Sequence, residues 1–162
     1  MLDVASAPAD DAAFERIVSA AASVATAHRA RGDVVRLVTS DHRDTGWVAG
    51  QAAFDALMEE LALLRRTPRA DLGRALRAAD PTSDVVVVVA GDLSDEEVAR
   101  LPARGAGLSG HRPVTVVRFR PTVGGGPARS AVARVVDVGP DERFPDAWAR
   151  TGLLLRPVGA GP

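Results

Sequence analysis

Aspartates recur in this chain where polar turns interrupt apolar segments. Asp3 follows the first apolar residues, Asp41, His42 and Asp44 share one turn, and Asp92 and Asp95 follow five consecutive valines at 85–89. Carboxylates beside an imidazole suit acid–base chemistry, and oxygen ligands of this kind suit a hard cation such as Mg²⁺. One reading is therefore an enzyme of small-molecule or phosphoester chemistry using Asp3, Asp41, His42, Asp44 and Asp92. The other is that these residues form solvated turns, since Asp and Gly are what tight connections require, and that the charged turns recognise a partner. On that second reading the docking face is Asp3, Ser6, Asp41, His42, Asp44, Asp92 and Asp95.

Other signals for chemistry fall short. Gly105-Ala106-Gly107-Leu108-Ser109-Gly110 matches the dinucleotide pattern letter for letter. That fingerprint must follow a strand and open a helix so that a pyrophosphate meets the helix amino end, whereas this run follows a predicted helix and leads into a strand. There is no Gly-x-Ser-x-Gly elbow and no cysteine, so the available nucleophiles are isolated hydroxyls and carboxylates. His28 lies near a predicted helix end, where a cation complements the dipole, and His111 opens a loop.

All 20 basic residues are arginine, and Lys, Asn, Tyr and Cys are absent, as GC-rich coding would produce. The arginines therefore do not mark a nucleic-acid surface, and 21 acidic residues leave a net charge of −1. Without cysteine there are no disulfides or thiolate metal sites. No stretch reaches the roughly 20 apolar residues of a spanning helix, so neither nucleic acid nor a membrane span within this chain is expected. The 162 residues read as one domain at 1–156 and a frayed tail at 157–162.

The elements that position the aspartates centre on the valine run. Valine fits a pleated surface, and an unbroken apolar run needs cover on both faces, as in a parallel sheet flanked by helices. Ser94 can cap the next helix, with Glu97 as its return partner. Apolar spacing predicts helices over 10–31, 51–66 and 71–79, with Gly32 as the first helix's C-terminal cap and Pro68 ending the second. Strands are predicted at 1–5, 33–39, 114–119 and 132–138, a short antiparallel edge strand at 47–49, and a final helix at 144–150 that sets Trp148 against the core. The expected fold is α/β, a mostly parallel Rossmann-like sheet in the order third, second, first, fourth, fifth, sixth, with helices on both faces. Ligands in such folds sit beyond the strand carboxyl ends, where the loops starting at Ala5, Ser40 and Ala90 gather.

A resemblance rests on several of these residues. Leu2-Asp3-Val4, Ala13-Phe14-Glu15-Arg16, Ser19-Ala20-Ala21-Ala22-Ser23, the stretch 32–39 with Asp44-Thr45-Gly46, and Asp71-Leu72-Gly73-Arg74-Ala75-Leu76 look like a bacterial von Willebrand factor A-like family of unknown function. Its members are often encoded beside MoxR-type AAA+ ATPases and usually carry amino-terminal membrane helices. The likeness covers about residues 2–120 and lacks the family's upstream Arg/Tyr/Pro-Gly-Asp segment. It implies a von Willebrand factor A-like fold truncated at its amino end, and a cytoplasmic protein, held at the membrane through upstream sequence. It also implies a protein partner of the MoxR type. A-type domains bind Mg²⁺ through Asp-x-Ser-x-Ser, a threonine and a later aspartate. Here Asp3 matches, but Ala5 and Ala7 stand at the serine positions, Ser6 is out of register, Ala70 and Gly91 occupy the other two, and Asp92 is one residue late. The resemblance thus implies a degenerate metal site and no cofactor.

Overall fold

The computed structural model describes residues 1–5, 11–68, 70–78, 85–101, 114–121 and 133–150. Three of the predicted strands form a ladder: β1 (Val86–Ala90), β2 (Val114–Phe119) and β3 (Ala133–Val138), all parallel and in that order. Val86 lies opposite Val114, and Val114 opposite Ala133. Every residue of the middle strand β2 is buried.

Burial on both faces follows from the alternation of side chains along a strand. Val87 and Val89 join one apolar cluster with helices α1 (Asp11–Ala30), α2 (Gln51–Ala62) and α5 (Phe144–Arg150). Val86, Val88 and Ala90 point the other way, towards α3 (Leu72–Ala78) and α4 (Asp95–Arg100). The molecule is thus a mixed α/β fold with helices on both faces of a parallel sheet. The predicted apolar stripe of α1 supplies Phe14, Ile17, Val18, Ala21 and Ala25 to the core. Full burial of a side chain such as Ile17 stabilises by about 1.5–3 kcal/mol. Trp148 packs partly buried against this cluster, 5.5 Å from the Phe144 ring.

Helix ends follow local chemistry. Gly32 has φ 83°, the left-handed conformation that a C-terminal cap needs and that glycine adopts without Cβ strain. At α4 the Ser94 side chain accepts from Glu97 N while the Glu97 carboxylate takes the Ser94 N–H, a complete capping box. Helix α2 stops at Ala62, four residues short of the predicted end at 66. The chain must leave the helix there so that Thr67 N can donate to Val4 O (2.9 Å).

The remaining predicted strand positions are joined by isolated bridges. Leu2 bridges Val89 on one side and Thr39 on the other, both parallel, so residues 1–5 lie between β1 and the 35–40 segment. Asp3 N donates to Val89 O (2.8 Å), and Leu2 N to Val38 O (2.9 Å). Val35 bridges Val48 and Val38 bridges Asp44, antiparallel. Three steps along one segment match four along the other, so one residue bulges and no ladder propagates. Among the described residues, no helix is long and apolar enough to cross a membrane.

Candidate functional site

The carboxyl ends of the extended segments carry two polar neighbourhoods. The first is built on Ser40, which is fully buried although a hydroxyl inside a core needs partners. Ser40 Oγ donates to Asp3 Oδ1 (2.7 Å) and accepts from Val4 N (2.8 Å). Its backbone N–H donates to Leu2 O and its carbonyl accepts from Asp71 N, both at 2.9 Å. One residue thus ties three connections together. Asp3 Oδ1 also accepts from Ala5 N (3.1 Å), so this carboxylate serves to close its own turn.

Next to it lies the turn 40–46. Thr39 Oγ1 donates to Asp41, and Arg43 Nε reaches Asp41 Oδ2 at 3.1 Å. His42 is exposed and has φ 69°, the only non-glycine residue with positive φ among those described. Asp44 takes a fork from Arg36, Nε to Oδ1 at 2.9 Å and Nη2 to Oδ2 at 2.5 Å. The Arg36 hydrogen bond, helped by Gly46 N–H and the Arg36 charge, outweighs desolvation and holds the Asp44 carboxyl below its ordinary range. Arg36 also lies 5.9 Å over the ring of Trp47, which is 46% exposed.

The second neighbourhood is centred on Arg118, near the end of β2. Its side chain is 0% exposed, and β-sheet register sets Asp137 of β3 beside it. Nε and Nη2 fork onto the two Asp137 oxygens, the latter at 3.3 Å. Nη1 donates to Leu93 O (2.9 Å) and to Asp95 Oδ1 (2.6 Å). Burial disfavours the cation, but the hydrogen bonds and charges of Asp137 and Asp95 outweigh it and raise the guanidinium above its ordinary value. A buried arginine is tolerated only when satisfied in this way. Its effect is to fix the loop between β1 and α4 to the sheet. Asp92, in the same loop, is half-exposed and stands 3.8 Å from Arg120.

Of the predicted site residues, Asp3 is brought to Ser40, Asp41 to Thr39 and Arg43, Asp44 to Arg36, Asp92 to Arg120, and Asp95 to Arg118. Ser6, the Gly105–Gly110 run and the tail at 157–162 lie outside the described residues. Among those described, no three acidic or histidine side chains come together as metal ligands. The A-type Mg²⁺ pattern does not fit: Ala5, Ala70 and Gly91 carry no side-chain oxygen, and Asp3 is committed to Ser40 and its own turn.

Sequence reasoning missed Arg118, Asp137 and Ser40. A signal was present for the first two, since each is the one charged residue among the last three positions of its otherwise apolar strand end. Ser40 carried none, because its role depends on segments 36 positions apart. A scan against protein-family models, a search of curated proteins and a search of solved structures each return no match.

Proposed function

We propose that the chain is a protein-docking module of Rossmann-like, von Willebrand factor A-like type, with a short antiparallel edge strand at Trp47 and a degenerate metal site. The turns 40–46 and 91–97 form its recognition face. One observation carries this reading: Asp41, Asp44, Asp92 and Asp95 of these turns each pair with a different arginine, so the loops present charge of both signs at their surface. Asp41 and Asp44 are fixed by Arg43 and Arg36, and Asp95, 68% exposed, is fixed by buried Arg118. Rims of this kind govern partner choice and association rate. Asp92, Asp95, Glu96 and Glu97 give the second turn an acidic character that suits a basic partner surface.

The partner implied by the sequence resemblance is a MoxR-type AAA+ ATPase, met in the cytoplasm or at the cytoplasmic face of a membrane. The test is binding of a MoxR-type ATPase from the same genome to the chain and to an Asp92→Arg, Asp44→Asn double variant. Binding should weaken at least tenfold in the variant with the fold intact by circular dichroism. Undiminished binding, or loss only on altering the helix surface around Arg29 and Arg65, overturns the assignment.

A further inference from the structure

A cleft of about 650 Å³ opens between the first half of α1 and the turn that joins β3 to α5. It lies at the carboxyl ends of β2 and β3, where α/β sheets place their ligands, and it is open to solvent. None of the predicted docking residues lines it.

Its wall is fixed in advance. Arg16 of α1 sends Nη2 to Gly139 O (2.6 Å) and Glu142 O (2.7 Å), and its guanidinium covers the Phe119 ring at 5.1 Å. Glu142 in turn accepts from Gly139 N (3.2 Å) and pairs with Arg150. The helix and the turn are therefore clamped by interactions that no ligand has to form.

The lining also carries charges with no internal task. Glu15, Asp141 and Arg143 are exposed, and among the described residues their side chains engage no partner. Phe144, partly buried, supplies apolar surface beside them, while Phe119 lies buried beneath Arg16. An ion of one sign would meet like charge here, whereas a ligand carrying both signs on an apolar body would meet complements throughout.

We propose that this cleft binds a small zwitterion of the amino-acid type with an apolar side chain. Its ammonium faces Glu15 and Asp141, its carboxylate faces Arg143, and its side chain rests on Phe144. The site lies apart from the docking loops and its occupancy does not depend on a protein partner.

Calorimetric titration of the full chain with L-leucine, L-leucinamide and N-acetyl-L-leucine tests this. Leucine should saturate, and each analogue, lacking one charge, should bind roughly tenfold or more weakly, as a lost charged hydrogen bond implies. Arg143→Gln should erase the preference over leucinamide, and Glu15→Gln with Asp141→Asn the preference over N-acetyl-leucine, with melting temperatures unchanged at these exposed positions. Absence of saturable binding by leucine and phenylalanine at millimolar concentration overturns the proposal. Binding whose selectivity survives both sets of substitutions does so equally.

Discussion

Arg118 and Arg36 hold Asp137 and Asp44 with the same pair of nitrogens, Nε and Nη2, yet their settings differ. Arg118 is fully buried in a three-strand ladder, and its remaining nitrogen anchors the β1–α4 loop. Arg36 is 21% and Asp44 36% exposed, on a bulged turn whose pairing with its neighbours consists of isolated bridges. Solvent screens the second pair and is excluded from the first, so the same kind of pairing has unequal weight. The ladder side is where removal of charge threatens the fold. The turn side can vary its charges at small cost, as a recognition surface must.

The widest separation between the two pairs should come from Arg118→Met, which leaves Asp137 and Asp95 without their cation. A loss of about 3 kcal/mol, the lower end for a broken buried pair because Asp95 stays hydrated, is expected in urea denaturation. Arg118→Met with Asp137→Leu should recover much of it; a double variant no better than the single would show that the residue matters for volume alone. Ser40→Ala comes next. It strands the Val4 N–H and removes one of the two donors to Asp3 Oδ1, and about 1–3 kcal/mol should be lost by the same measurement.

Ser94→Ala removes the α4 cap and should cost about 1 kcal/mol. Asp44→Asn should cost less than about 1 kcal/mol, as exposed pairs do; a loss equal to that of Arg118→Met would erase the contrast. The Asp44 and Glu97 carboxyls are both held below their ordinary values of 3.8 and 4.5, Glu97 chiefly by the Ser94 N–H. Their contribution is therefore complete above those values and fades as pH falls through the lower folded ones. Urea midpoints taken from pH 7 down to pH 3 should fall less steeply in an Asp44→Asn, Glu97→Gln variant than in the parent chain.

The elements were legible because their causes are local. The valine run, the α1 stripe, Gly32 and the Ser94–Glu97 box each act within a few residues, and helix 144–150 was bounded by the same logic. Helix α2 was overextended because its end is set by Thr67 reaching Val4, a partner 63 positions away. At the predicted edge strand 47–49 Val48 alone is bridged, antiparallel to Val35, because a bulge that periodicity does not reveal interrupts the pairing.

The candidate site divides along the same line. Sequence alone determined that aspartates fall in the turns after apolar segments, since turns select Asp and Gly for their own backbone needs. What each aspartate does was decided by tertiary structure. Parallel register sets Arg118 beside Asp137, strand order brings Ser40 to Asp3, and α1 crosses the sheet so that Arg16 meets Gly139. Those pairings join residues 19, 37 and 123 positions apart, and electrostatic partners at such separations are chosen by the packing of the strands and helices that carry them.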